Sequence, residues 1–310
     1  MAPITLGISS CLLGEQVRWN GGHKLDRFLT DTLGRFVRYC PVCPEVECGF
    51  GVPREPLRLL GAPYAPRLVT SRTRQDFTER MLRWARRRVR ELETEDPCGF
   101  IFKGKSPSCG MERVKVYDAK GVGLFARVFM EHFPLVPVED DGRLHDPTLR
   151  ENFIERIFVM KRWRDALRAL RHKRSRGALV QFHTEHKLLI LSHSPRHHRI
   201  MGNLVAQAMP IPALYDEYER LLMEALRLKA TPAKHCNVLQ HIMGYFKKQL
   251  SPDAKGELLE IIDHYRQGHA PLIVPISLVN HYVRLYDQPY LKQQYYLHPH
   301  PLELQLRNHV

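Results

Sequence analysis

Three cysteines in this 310-residue chain stand beside turn-forming residues at the ends of short apolar runs. They are Cys11 in Ser9-Ser-Cys-Leu-Leu-Gly14, Cys43 in Cys43-Pro-Glu45 and Cys109 in Ser106-Pro-Ser-Cys-Gly110. Thiolates that converge on one point suit an iron-sulfur cluster, zinc or copper. A four-iron cube takes four ligands, so three protein thiolates would leave one iron open to a substrate, as an enzyme needs and an electron carrier does not. Three buried structural cysteines would read the same way, and spacing alone does not separate the two. The chain has seven cysteines, an odd number, and no basic lead-in with a sustained apolar stretch at its start. A disulfide framework is therefore not expected, and the reading places the protein in the cytosol.

Other patterns compete for attention. Cys40-Pro-Val-Cys43 is a C-x-x-C pair, but no second pair exists to close a structural zinc site. Gly99-Phe-Ile-Phe-Lys-Gly-Lys-Ser106 fits the phosphate-loop pattern. Its loop positions hold Phe100, Ile101 and Phe102, a strand-like run, and Pro107-Ser-Cys-Gly110 follows where a helix should start, so no nucleotide cofactor is expected. His183 and His186, with His193, His197 and His198 after them, lack a partnering carboxylate motif and are set aside as a metal site.

The elements that would carry the three cysteines alternate in type. Strands are expected at Ile4 to Ser9, Phe36 to Tyr39, Gly99 to Lys103 and Val114 to Tyr117, with helices over Gln75 to Glu93 and Gly123 to Glu131. This pattern predicts an α/β domain, a sheet flanked by helices, whose sites lie in loops beyond the strand ends. Past residue 177 the strand signal fades. Long helical patterns punctuated by prolines predict a second, all-α domain of five or six helices. The expected division is 1–155 for the α/β domain, 156–177 for a basic connecting helix or linker, and 178–310 for the helical domain. The longest apolar run, Ala270 to Val279, holds two prolines and is too short to cross a bilayer, so no membrane association is expected.

The formal net charge of +14 is uneven. Residues 1–160 carry 25 Lys+Arg against 21 Asp+Glu, whereas 161–310 carry 22 against 12, a balance of +10, together with 14 of the 17 histidines. A basic excess confined to one half points to a polyanion partner, and nucleic acid is the commonest. Lys161 to Arg176 holds eight Lys/Arg against one Asp. From it Arg162, Arg168, Arg171, Lys173, Arg174 and Arg176 are the candidate RNA contacts, with Lys103 and Lys105 beside the Cys109 loop.

The N-terminal half resembles the thiouracil desulfidase family. The resemblance rests on Cys11-Leu-Leu-Gly14 with Arg18-Trp-Asn-Gly-Gly22, on Cys43-Pro-Glu45 followed by Gly51-Val-Pro-Arg54, and on Ser106-Pro-Ser-Cys-Gly110, and covers roughly residues 4–155. The second half, with Phe182-His183-x-x-His186-Lys187 and Gly202, is similar to the YbgA-type helical domain. The pairing resembles fused proteins described as RNA 4-thiouridine desulfidases. It implies a 4Fe-4S cluster held by Cys11, Cys43 and Cys109 with one open iron, and Glu45 with Ser106 or Ser108 acting on substrate. Cys40, Cys48, Cys98 and Cys236 are then not ligands, with Cys48 as the fallback. The expected activity is conversion of 4-thiouridine in tRNA to uridine with release of hydrogen sulfide, and no net redox change. Two alternatives stand beside it: a desulfidase of free thiouracil-type bases, and a non-enzymatic RNA-binding protein with a structural metal.

Overall fold

The structure is a computed structural model that describes residues 3–116, 119–170 and 174–309. The chain forms two compact units, Met1–Asp146 and Pro147–Val310. The units meet at Asp146/Pro147, and residues 156–170 of the stretch expected as a connecting helix or linker lie in a long helix, Pro147–Leu170.

The first unit runs β1 (Ile4–Ser9), β2 (Val37–Val42), α1 (Pro44–Glu47), β3 (Leu57–Ala62), β4 (Ala65–Thr70), α2 (Thr78–Glu95), β5 (Gly99–Phe102), β6 (Val114–Val116), β7 (Ala119–Gly121), α3 (Leu124–His132) and β8 (Val138–Asp140). One sheet has the order β2-β1-β5-β8 and is parallel throughout. Its central strands β1 and β5 are buried along their whole length, as a parallel sheet covered on both faces requires. Here β1 has Gly7 because a Cβ there would stand 2.1 Å from the Phe100 ring of β5. The strand order reverses at β1, so the crevice beyond the carboxyl ends of β1, β2 and β5 is the place where this topology puts a site. A second, mixed sheet has the order β4-β3-β6-β7.

Helix α2 buries Met81, Trp84, Ala85, Val89 and Leu92, the apolar face expected from the sequence, while Arg83, Arg86, Arg87 and Arg90 point to solvent. Phe100, Phe102, Phe125 and Phe129 stack at centroid distances of 4.3 to 6.2 Å beneath the parallel sheet. Such aromatic pairs add ~0.5–1.5 kcal/mol each beyond their buried area.

The second unit is helical: α4 (Pro147–Leu170), α5 (Arg176–His193), α6 (Pro195–Ala206), α7 (Ile211–Arg227), α8 (Pro232–Met243), α9 (Pro252–Arg266), α10 (Ile273–Leu285) and the short α11 (Pro289–Lys292). The prolines mark helix starts. Pro195, Pro232 and Pro252 follow Ser194, Thr231 and Ser251, whose hydroxyls accept the backbone N–H of His197, Lys234 and Ala254. Each N-cap satisfies an N–H that the helix leaves orphaned, and proline at the next position gives up an N–H the helix does not use. No helix among the described residues is long and apolar enough to cross a membrane.

Candidate functional site

The three singled-out cysteines meet in one cavity. It has a volume of about 370 Å³, and Cys11, Cys43 and Cys109 line it with Glu45, Arg54 and Ser106. Each cysteine is delivered by the end of a parallel strand. Cys11 lies in the turn directly after β1, where Gly14 closes the turn at φ 94°. Cys43 follows β2 and stands at the N-cap position of α1; its backbone N–H donates to Glu47 Oε1 at 2.8 Å and its thiol is aimed at the Val17 carbonyl at 3.9 Å. Cys109 lies in the loop after β5. That loop is anchored on the first turn of α3: Leu124 N–H donates to the Pro107 carbonyl at 3.1 Å, and Phe125 N–H to the Ser108 carbonyl at 3.0 Å. The carbonyls of the cysteine loop thus satisfy the free donors of a helix N-terminus.

Burial dominates the electrostatics of the thiols. It pushes Cys11 up to about 11, with Cys43 adding to the push and Lys103 pulling back. Burial also raises Cys43, and raises Cys109 far above the usual thiol range although the Ser9 hydroxyl donates to its sulfur. The Ser9 oxygen in turn accepts the Lys103 N–H at 2.9 Å, tying the β1 and β5 loops together.

Glu45 is held at both oxygens. Oε1 accepts the Ser108 hydroxyl at 3.0 Å, and Oε2 accepts both Nε and Nη2 of Arg54 at 2.9 and 2.5 Å. Arg54 also donates to the carbonyls of Val17 and Gly51, so the guanidinium is fixed by the loops around it. Charge-assisted bonds of this kind are about twice as strong as neutral ones. Arg54 stands in the Gly51-Val-Pro-Arg54 motif, nine residues after Glu45, and the fold gives it the role of holding that carboxylate.

The two serines divide the work. Ser106 lines the cavity, and its Oγ accepts the backbone N–H of Ser108 and of Cys109 at 3.2 and 3.1 Å, leaving its own proton to donate. Ser108 is fully buried and spends its proton on Glu45. Among the described residues no other cysteine lines the cavity. Cys40 and Cys48 pack in the hydrophobic core with α2, and Cys236 lies in the helical unit, its thiol aimed at the Ile262 carbonyl at 3.8 Å.

The candidate RNA contacts are placed very differently from one another. Lys105 is exposed at the cavity, while Lys103 pairs with Asp141 at 3.0 Å. Arg162 corrects the expectation: it donates to the Pro299 carbonyl at 2.9 Å and to His186 Nε2 at 3.1 Å, lies 4.2 Å above the Tyr295 ring, and is lowered by burial to about 10. It is a packing residue. Arg176 donates to the Val205 and Met209 carbonyls at the end of α6. Arg168 is exposed and paired with Asp165, and Arg174 is exposed above the Tyr215 ring. Arg171 and Lys173 lie outside the described residues.

Residues 6–141 match the family model described as 2-thiouracil desulfurase, and residues 187–301 match one described as a protein of unknown function, DUF1722. The uncharacterized protein YbgA of Escherichia coli (strain K12) is 33% identical over 156 residues, 49% of this chain and 90% of that protein. The uncharacterized protein YbbK of Bacillus subtilis (strain 168) is 29% identical over 108 residues, 33% of this chain and 71% of that protein. A solved [4Fe-4S]-dependent thiouracil desulfidase, TudS, aligns at 26% identity with a TM-score of 0.39, over 46% of this chain and 94% of its own. The chain therefore belongs to the YbgA family, and it joins a 2-thiouracil desulfurase domain on its N-terminal side to a DUF1722 domain on its C-terminal side.

Proposed function

We propose that the protein is an iron-sulfur-dependent desulfidase that converts 4-thiouridine in tRNA to uridine and releases hydrogen sulfide. The observation that carries this reading is the convergence of Cys11, Cys43 and Cys109 with a doubly held Glu45 in one cavity of a thiouracil-desulfurase-type domain. The donor set, three cysteine sulfurs lining one cavity, is of the soft kind that suits an iron-sulfur cluster.

A 4Fe-4S cluster bound by the three cysteines supplies a thiophilic Lewis acid, one iron lacking a protein ligand. The reaction balances as C=S plus water giving C=O plus hydrogen sulfide, so no electron donor is called for. Glu45, with both oxygens accepting, is set to take the proton of the attacking water. Arg54 and Ser108 hold it in one orientation, and Ser106 has a proton to donate to the pyrimidine or to the departing sulfur.

RNA as the substrate is supported by charge. Arg18, Lys24, Lys103 and Lys105 all line the cavity, and the residues after 160 carry the +10 balance. Phosphate neutralisation gives strong, salt-dependent, sequence-independent affinity, and a base within a folded RNA reaches such a cavity by swinging out of its stack. The test is to incubate anaerobically reconstituted protein with thiolated tRNA and follow thiouridine absorbance together with sulfide. Cys43→Ala and Glu45→Ala should abolish both changes. An iron-free preparation with full activity would overturn the cluster, and equal turnover of free thiouracil at rising salt would favour the free base as substrate.

A further inference from the structure

The helical unit contains a second group of metal-type donors, unrelated to the cysteine cavity. Glu151 and Glu155 stand one turn apart on α4, and an oxygen of each lies within 4.8 Å of the other and of a ring nitrogen of His300. His300 is 8% exposed and Glu155 2%. Buried groups of this kind are normally paired. Here two are not: among the described residues Glu151 Oε1 and His300 Nε2 have no hydrogen-bond partner.

The tautomer of His300 makes the mismatch sharper. Its Nδ1 stands 3.2 Å from the Pro301 carbonyl, and a carbonyl only accepts, so Nδ1 carries the proton. In the neutral ring Nε2 is then a bare lone pair, left without a donor beside two carboxylates. A ring N–H donated to a backbone carbonyl while the other nitrogen faces inward is also the arrangement that metal-bound histidines use to fix their tautomer.

The neighbouring cations reach the carboxylates but leave His300 Nε2 unpartnered. Arg307 donates to Glu155 Oε1 at 3.0 Å and to the Tyr296 carbonyl at 2.7 Å. Its Nε lies 3.4 Å from Glu151 Oε1 without a hydrogen bond. His193 Nε2 takes Glu155 Oε2 at 3.0 Å, and His309 Nε2 lies 3.5 Å from Glu151 Oε2. Arg307 thus ion-pairs with both carboxylates and His193 holds Glu155, and none of these cations supplies a hydrogen bond to His300 Nε2.

We infer that Glu151, Glu155 and His300 form a site for a divalent transition-metal ion, zinc being the ion that suits two carboxylates and an imidazole in a closed setting. The ion bridges α4 and the C-terminal segment that carries His300 and Arg307. It fastens that segment to the first helix of the unit and has no part in desulfuration.

Elemental analysis of the full-length protein separates this site from the cysteines. The Cys11→Ser/Cys43→Ser/Cys109→Ser variant, dialysed against buffered zinc, should keep about one zinc per chain. Adding Glu151→Gln or His300→Gln should weaken zinc binding by at least the ~10–100-fold that loss of even an outer partner costs, and should leave iron loading of the otherwise wild-type chain unchanged. Should those substitutions unfold the unit, cobalt(II) added to the folded cysteine variant gives a second readout. Visible ligand-field bands without a sulfur-to-cobalt charge-transfer band support the site. A cysteine variant that takes up no zinc, or cobalt bands that show sulfur ligation, overturns it.

Discussion

At the scale of single residues, the cavity depends on what holds Glu45. A carboxylate that accepts from Ser108 and from the fork of Arg54 has one orientation, and catalysis by a positioned base is worth ~10²–10⁴ in rate. Glu45→Gln should therefore lower kcat by ~10²–10⁴ with iron content unchanged, measured by single turnover on thiolated tRNA. Arg54→Lys should give a smaller loss, since an ammonium cannot supply the two-pronged contact. The histidines of the helical unit matter for a different reason. His183 shares a hydrogen bond with the Tyr218 hydroxyl at 3.2 Å and is lowered by burial to about 4, with His198 and Lys187 adding to the effect. His186 donates from Nδ1 to the Phe182 carbonyl and accepts Arg162 at Nε2, so a second proton would have to displace the guanidinium. Both stay neutral when folded and charge when unfolded. Stability is then complete above about pH 6.5 and falls as the pH drops toward 4, by roughly 1 kcal/mol per pH unit for each histidine. Urea unfolding at pH 7 and pH 5 measures it, and His183→Gln should flatten the dependence.

At the scale of elements, the site hangs on loops that the secondary structure stiffens. A Cβ at Gly123 would stand 2.6 Å from the backbone of Ser108, directly under the Cys109 loop. Gly123→Ala should push that loop off the start of α3 and reduce iron loading, read from the visible absorbance of reconstituted protein, while far-ultraviolet circular dichroism stays unchanged. Much of this arrangement is legible in the sequence, because largely apolar runs followed by Ser or Gly announce the ends of β1 and β5. The β3–β4 hairpin is not, since Arg58, Gly61, Pro63, Pro66 and Arg67 break up its alternation and pairing across the strands decides it. Arg162 misleads in the opposite way. Within a run of basic residues it reads as surface, and only the fold shows that a carbonyl and a histidine 137 and 24 positions away take its protons.

At the scale of the whole molecule, the charge of +14 is what the proposed RNA substrate would meet. Affinity for tRNA should fall steeply and linearly in log-log form with salt, with a slope of about −0.7 to −0.9 per phosphate contacted, while turnover of a free thiolated base should not. Filter binding and nucleoside kinetics over the same salt range measure the two. A last consequence follows from the strand order β2-β1-β5-β8. Cys11, Cys43 and Cys109 come from three separate crossovers and are brought together by the pairing of β1 with both β2 and β5. The three-cysteine pocket therefore belongs to no single stretch of chain and is complete only once β1 has paired with both neighbours.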